Sequence, residues 1–578
     1  MIDGAQTPVR SRQGALRAPA LMAALATALV AAACSATTQS DEPAAGGTLH
    51  YLSSQPEFTH LDPQRMYLPE DIAFATSFLQ RTLTAYSYDA DPADVQLVAD
   101  LATDTGSAND DATEWSFTLR DGVTFEDGSA ITCTDVKFGV SRAFDPEFIL
   151  TSGISRAIRL LDVPAGPDGN PVYTGPYTTD PGDVAAFDRA VSCSGDDRTV
   201  TFRLARPAGD FGDAVSTPAF GPVPEGTPAG VGYDTAPVSS GPYRVDQDAG
   251  EHLTLVRNDA WDRDTDPLRP AYPDRVEVQL DLDPDELDQR MIADSGADRT
   301  AIAAAVDPAA ASAFPRDDAL DDRTVTGPGL GVRYLAINTA RVPLTGHRRA
   351  IAAAVDRAAL HEALGGDVGG TPADGLLPHG LRSEDAAAAS GSPGAGPPAG
   401  DPARAQTLLA EAGAPMPPLS FAFLDTPANQ AAATVLQQSL GTAGITLDTV
   451  PMGPAEYYPA IQDPQSPHAL MLGSWAPTWM DGATVADLLT PAGGAANLSR
   501  YDDAAFTADA DAASGELDPA ARAAAWSELD ARAVADAVVV PLRFDQQLRL
   551  VGSQVRDAHA WAPYGSVAFG AVWVEPED

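Results

Sequence analysis

Glu114-Trp115-Ser116-Phe117-Thr118-Leu119-Arg120-Asp121-Gly122-Val123-Thr124-Phe125-Glu126-Asp127-Gly128 is the stretch that decides the fold. Trp115, Phe117 and Leu119 alternate with Ser116, Thr118 and Arg120, the period of a half-buried strand. Asp121-Gly122 turns the chain, Val123 and Phe125 continue it, and Asp127-Gly128 turns it again, which predicts a β-hairpin. Thr132 and Asp135 then stand three apart, as in a capping box, so a helix begins there with Val136 and Val140 facing a core. The expected local unit is a hairpin followed by a helix.

Outward from this unit the pattern alternates. Upstream, Thr48 to Leu52 reads as a strand, followed by Leu61-Asp62-Pro63 and a helical stretch holding Ile72, Phe74, Phe78 and Leu79. Downstream, Val200, Phe202 and Leu204 form an alternating strand, and the Pro- and Gly-rich run from Pro218 to Pro242 reads as loop. Tyr334 to Asn338 reads as a strand and Arg348 to Leu364 as one amphipathic helix with Ile351 and Val355 inward. Glu384 to Gly400 is low-complexity and predicts a surface loop. Asp401 caps a helix with Pro402 in its first turn and Gly413 after its end. A helix holding Val435, Leu436 and Leu440 leads to a strand with Ile445 and Leu447. Asp518-Pro519 starts a helix through Trp526 and Leu529, and Val538 to Leu542 is a buried strand. Helices alternating with strands predict α/β lobes.

The 578 residues exceed one compact core, so two or three lobes are expected. The formal net charge of -45 argues against nucleic acid, whose phosphates need clustered cations. Spread along the chain, that acidity reads as a solvated surface. Lys137 is the only lysine and follows Asp135-Val136, so there is no phosphate-binding Gly-x-x-x-x-Gly-Lys loop. Neither a His-Glu-x-x-His, a nucleophile elbow nor a catalytic cysteine signature is present, and the eight histidines lack metal-ligand spacing. Counting cannot rule out a paired-carboxylate glycosidase among 81 acidic residues. Asp262-Arg263-Asp264-Thr265-Asp266 imitates a calcium loop, but Pro267 and Pro273 occupy the positions of the required glycine and final ligand, so it reads as an acidic turn. Gly327-Pro328-Gly329-Leu330-Gly331 is a weak nucleotide signal that Pro328 undermines. The expectation is no enzyme, no cofactor, no metal and a monomer.

The 114–128 run, continued to Thr132 and Asp135-Val136, resembles the signature of family 5 bacterial extracellular solute-binding proteins, the oligopeptide-, dipeptide- and nickel-binding subunits of ABC importers. Ser240-Gly241-Pro242-Tyr243 with Leu255-Val256-Arg257-Asn258 and Trp261 resembles the family's next block. Tyr334-Leu335-Ala336-Ile337-Asn338-Thr339, with Arg349-Ala350 and Val355-Asp356-Arg357, resembles the one after. The helix after Asp401, the Leu436-to-Ile445 segment and Val540-Pro541-Leu542 keep the family's order. The resemblance implies a periplasmic-binding-protein-like α/β fold, two lobes around a cleft with an α+β domain inserted in the first. By motif order, lobe one spans 46–85, 239–330 and 546–578, the inserted domain 86–238, and lobe two 331–545. Cys133 and Cys193, the latter after Phe187-Asp188-Arg189-Ala190-Val191, resemble the actinobacterial branch, which implies a disulfide from the motif's helix to a neighbouring strand.

Arg10, Arg12 and Arg17 precede an apolar run from Ala20 that ends at Cys34, which reads as a signal peptide over 1–33. The run is shorter than the ~20 residues needed to span a bilayer. Ala31-Ala32-Ala33-Cys34 resembles a lipobox in which Ala31 replaces the preferred Leu. The alternative is ordinary cleavage leaving a thiol at Cys34; with Cys133 and Cys193 able to pair, that thiol would be the odd one. Residues 34–45 are then a flexible tether, and the membrane is met only through the lipid.

For the ligand, the resemblance points to Gly473-Ser474-Trp475-Ala476-Pro477-Thr478-Trp479-Met480-Asp481. Trp475 matches a tryptophan that lines the cleft in peptide-binding relatives. The aspartate that meets the peptide amine three positions later is Thr478 here, which leaves Asp481 as a displaced anchor and opens the site to other solutes. Core packing is the competing reading for Trp475 and Trp479. Glu57 falls in a loop where relatives contact ligand, with a solvated carboxylate as the alternative. His379 and Arg382 could meet a ligand carboxylate, with plain surface exposure the simpler reading. The implied partners are an oligopeptide or similar solute and ABC permease subunits; nickel, a nickel chelate, another solute, or a sensing role is the runner-up.

Overall fold

The structure is a computed structural model. It describes residues 43–91, 94–152, 158–167, 169–304, 318–383, 385–386 and 397–575. The leader over 1–33, Cys34, most of the tether and most of the Glu384–Gly400 loop lie outside the described residues.

Three sheets of four or more strands, with the apolar cores packed on them, carry most of the described residues. The first has five strands in the order β11-β1-β10-β9-β8: β1 (Thr48–Leu52), β8 (Tyr243–Asp248), β9 (His252–Arg257), β10 (Arg275–Gln279) and β11 (Ala301–Ala303). β1 lies parallel to both β10 and β11, although long stretches of chain separate them. Leu49 and Tyr51, from alternate positions of β1, pack on Phe74 and Phe78 of the helix Pro69–Phe78 and on Trp561 and Phe569 near the C-terminus.

A four-stranded unit follows the deciding motif: β4 (Ser107–Ala108), β5 (Glu114–Thr118), β7 (Thr199–Arg203) and β6 (Val191–Cys193), in that order. Here the structure corrects the expected hairpin. β5 pairs with β4 and β7, not with the chain beyond Asp121-Gly122. Val123 to Phe125 instead fold onto Ser129 to Ile131 across Asp127-Gly128, with the Phe125 amide donating to Ser129 and the Ile131 amide to Val123. Sequence periodicity marks a strand but not its neighbour, and β5 takes residues 199–203 instead. The helix Cys133–Arg142 begins with the expected capping box of Thr132 and Asp135. Val136 and Val140 are inward, against Phe117, Phe202 and Phe211. Cys133 and Cys193 form the disulfide that the resemblance implied. Gly106 sits at φ +100°, and any Cβ there would fall 2.4 Å from the Phe117 ring, so only glycine fits. A two-stranded ribbon, β2 (Thr84–Tyr86) with β3 (Leu97–Ala99), lies between this unit and the first sheet in sequence.

The third sheet has six strands in the order β13-β17-β12-β16-β14-β15: β12 (Thr324–Ile337), β13 (Gly370–Pro372), β14 (Leu419–Leu424), β15 (Leu447–Met452), β16 (Leu470–Trp475) and β17 (Val539–Leu550). Its two faces bury different sets: Val332, Tyr334 and Ala336 on one, Leu335 and Ile337 on the other. The reading of Arg348 to Leu364 as one helix is corrected. Two helices, Thr345–Ala354 and Arg357–Ala363, are broken where Asp356 turns its carboxylate to the Ala359 amide and caps the second. Ile351 and Val355 are nonetheless buried. Ile445 is buried just ahead of β15 rather than inside it.

β12 and β17 run as one antiparallel pair from Thr324–Leu550 to Ala336–Val539, and their register slips between Pro328 and Val332. An isolated bridge from Ile302 to Val551 joins the near end of this pair to the first sheet. Two long strands thus pass from one sheet to the other, and the bulge lies where the expected lobe boundaries at 330/331 and 545/546 fall.

Candidate functional site

β16 positions the most informative residues. On one side it pairs with β12 along its whole length, Ile337–Leu470 to Val332–Trp475. On the other side β14 pairs only with Leu470 and Met471. Beyond Met471 no strand among the described residues pairs with that edge; Gly473 is buried there and the Leu472 carbonyl is taken by a side chain. Gly473 must lack a side chain, because a Cβ would lie 2.5 Å from Cζ of the buried Tyr334 ring. Ser474 is exposed and Trp475 half-buried.

A cavity of about 240 Å³ opens beside this edge, lined by Tyr334, Leu424, Asn429, Tyr457, Tyr458 and Trp475 among others. Tyr457 donates its hydroxyl to the Leu472 carbonyl, which fixes the floor. Burial pushes the Tyr334 and Tyr457 hydroxyls above their ordinary range, so both stay neutral. Arg333 is the one charged residue of the lining, and it pairs with Asp545 at 3.1 Å. Such a pocket accepts an uncharged, apolar or aromatic group.

Glu57 lines a different, larger cavity of about 630 Å³ with Thr59, His60, Glu126, Asp234 and Asp246. Its walls are acidic. The Glu126 carboxyl is raised by burial, although it accepts the Ser239 amide at 2.9 Å. Beneath the 57–61 loop, burial pushes Asp71 up to about 6 against hydrogen bonds from the Thr59 and His60 amides. Asp234 pairs with Arg65 and stands 3.2 Å from His60.

The structure thus brings Gly473, Ser474 and Trp475 together, puts Glu57 at a separate cavity, and leaves Thr478, Trp479 and Asp481 lining neither. Trp479 is 0% exposed, packed into the core of the four-stranded unit. Its indole N–H donates to Asp210 Oδ2 at 2.8 Å. Asp481 caps the turn Gly482–Val485 through the Ala483 amide and receives Arg522 Nε at 2.8 Å. A ligand amine at Asp481 would therefore compete with a guanidinium. Thr478 is half-buried.

One further expectation is corrected, and two are kept. Arg382 is neither exposed nor ligand-facing: its side chain, 6% exposed, pairs with Asp374 at 2.7 Å, donates to the Leu377 carbonyl and lies over Phe544. His379 is exposed, edge-on to the same ring. The acidic turn at Asp262 holds no open ligand set, since Asp266 is buried against Arg269 and the Trp261 indole. Among the described residues the one His, Cys, Asp or Glu group with metal-like spacing is Cys133, Cys193 and Asp197, whose sulfurs are already in the disulfide.

Sequence reasoning missed Tyr334, Tyr457 and Tyr458. Tyr334 was placed on a strand, but its side chain meets a helix, Pro454–Gln462, more than a hundred residues on. The Tyr457-Tyr458 pair was the only local signal.

Residues 96–497 match the model of the bacterial extracellular solute-binding proteins, family 5 Middle. No curated protein sequence matches the chain. Among solved structures, the clavulanic acid biosynthesis oligopeptide binding protein 2 is 31% identical, with a TM-score of 0.81 over 92% of this chain and 96% of that one. The Escherichia coli murein tripeptide binding protein MppA is 19% identical, with a TM-score of 0.64 over 92% and 99%. AgaA from A. tumefaciens R10, solved with agropinic acid, is 20% identical, with a TM-score of 0.65 over 92% and 99%. The α/β periplasmic-binding-protein fold follows. No helix of the described residues is long and apolar enough to cross a membrane.

Proposed function

The chain belongs to the family 5 bacterial extracellular solute-binding proteins, and from that premise we propose that it captures an oligopeptide, or a solute of similar shape, along the open edge of β16. The observation that carries this reading is the β16 edge from Gly473 to Trp475, which no strand among the described residues pairs, beside an aromatic cavity. An extended ligand backbone adds to a sheet edge through main-chain hydrogen bonds, which are indifferent to sequence, while one side chain enters the pocket. The 31% identical relative is itself titled an oligopeptide binding protein, which supports the same class.

Capture needs closure. Lobe one is 46–85 with 239–330 and 546–578, the inserted domain is 86–238, and lobe two is 331–545. The bulge of β12 opposite Asp545 is the hinge: Gly329 and Gly331 lie against Asp545, where a Cβ would meet it at 2.9 and 2.6 Å. A ligand that touches both lobes binds the closed state better, and that difference drives the motion. Cys34 carries the lipid that holds the protein outside the membrane, and the closed form delivers its cargo to an ABC permease.

Thr478 in the place of an amine anchor, with Asp481 held by Arg522, favours a ligand that is not gripped there by a terminal amine. Blocked peptides and non-peptide solutes therefore remain within the proposed class. Thermal unfolding with mixtures of di- to hexapeptides, N-acetylated peptides, sugars and nickel tests the reading. Ligand at a hundred times its dissociation constant stabilises the folded state by about 2.7 kcal/mol. One of the peptide sets is expected to raise the melting temperature, and Trp475→Ala to abolish the rise. Stabilisation by nickel or sugars alone would overturn the peptide assignment.

A further inference from the structure

The turn after β16 enters another unit's core. Trp475 lies at the ligand edge; four residues later Trp479 is buried among Phe-rich packing that belongs to the four-stranded unit. The backbones also meet closely at this junction. The Gly209 amide donates to Ser514 at 2.7 Å, and a Cβ on Gly209 would fall 2.0 Å from the Glu516 carbonyl. Arg522 donates to that same carbonyl at 2.7 Å.

Around Trp479 the charges do not balance. Asp210 faces the indole, Asp481 faces Arg522, and Asp213, on the short helix Phe211–Ala214, accepts the Tyr86 hydroxyl at 3.0 Å. The Met480 amide donates to that hydroxyl at 2.9 Å, so Tyr86 bridges the turn to Asp213. Tyr564, from the turn Ala562–Tyr564, completes the surround. Three carboxylates thus share one guanidinium.

We propose that the Trp479–Asp481 turn is a proton-controlled latch, seated in the four-stranded unit while the Asp210–Asp213–Asp481 cluster holds a proton and loosened when that proton leaves. The proposal rests on the closure read above, since the latch ties the ligand-edge strand to the inserted domain. Burial, then Asp481 and Asp210, push the Asp213 carboxyl up to about 8, with Arg522 and Tyr86 only partly offsetting them. Asp481 is also raised, by burial and Asp210 against Arg522. Burial keeps the Tyr86 hydroxyl protonated throughout. The sign follows from linkage. A carboxyl raised in the latched state favours that state fully below its ordinary value, and the advantage is lost as pH rises through about 8. One proton sets a ceiling of about tenfold per pH unit on the latch equilibrium. Asp213 is only half-buried by surface, so a few-fold change per unit is the realistic size.

Hydrogen–deuterium exchange of the full chain without ligand, from pH 6 to 9, tests this separately from ligand identity. Rates are referred to the unstructured values at each pH. Protection of residues 476–485 is expected to fall a few-fold per unit from pH 6 to about 8 and to level off beyond it, while the helix Cys133–Arg142 stays protected. Asp213→Asn should flatten the dependence. Should that variant fold poorly, Asp210→Asn keeps an acceptor for the indole and, by removing a charge that raises Asp213, should end the fall at lower pH. Protection of 476–485 that does not change with pH in the wild type, or that keeps the wild-type pH dependence in both variants, overturns the latch while leaving solute capture standing.

Discussion

Two buried clusters of charge behave oppositely. Arg81 and Arg269 with Asp100 and Asp266 form a balanced set, two cations and two anions, all nearly solvent-free. Arg81 Nε and Arg269 Nη2 each reach Asp100 at 2.8 Å. Remaining donors are taken by the Thr76 and Thr265 carbonyls. Burial pushes the Asp100 carboxyl up, but the two guanidiniums outweigh it and hold the group below its usual range. The second cluster sets Asp210, Asp213 and Asp481 against Arg522 alone, and the Asp213 and Asp481 carboxyls go up. The same residue types build a permanent weld where charges match and a titratable contact where they do not.

The largest test breaks the weld. Arg269→Met leaves two buried carboxylates with one guanidinium, and denaturant unfolding at pH 7 should show a loss of about 3–5 kcal/mol. The disulfide is a covalent counterpart confined to the four-stranded unit. Replacing Cys133 and Cys193 by serine should cost about 2–4 kcal/mol by the same measurement, without altering any pH dependence. Gly473→Ala tests the ligand edge, because the Tyr334 ring must yield to the new Cβ. A cost of about 1–3 kcal/mol is expected, with weakened ligand stabilisation.

The smallest effect is the most discriminating. A depressed carboxyl such as Asp100 lends stability above its ordinary value that disappears only as pH falls through its lowered one, so the weld is constant from pH 5 to 9. The raised Asp213 works the other way, and stability should decline between about 4 and 8. One proton allows about 1.4 kcal/mol per pH unit, and partial exposure reduces that to about 1 or less. Asp213→Asn should remove the slope, whereas replacing Cys133 and Cys193 by serine should keep it.

Local signals were legible in the sequence, and long-range partners were not. The capping box at Thr132 and Asp135, the Asp401 and Asp518 caps and the inward Val136 and Val140 depend on residues a few positions apart. What β5 pairs with depends on residues 199–203, and alternation alone is silent about that. The break at Asp356 was hidden because the apolar period continues through it while the backbone does not. At the site, Trp475 could be found by its neighbours in sequence. The floor beneath it could not, because Tyr334 and Tyr457 meet only after β12 and β16 pair. Asp210 and Asp213 were invisible among 81 acidic residues, since imbalance is a property of what surrounds a charge.

The central claim is that this chain holds an intact solute at the β16 edge. Native mass spectrometry of the wild-type protein and Trp475→Ala, each purified after exposure to an oligopeptide mixture, measures it directly. The wild type should carry peptide-sized mass that leaves unchanged on denaturation, and the variant should carry little. A bare wild-type protein, or supplied peptides returned as shorter fragments, would contradict the account.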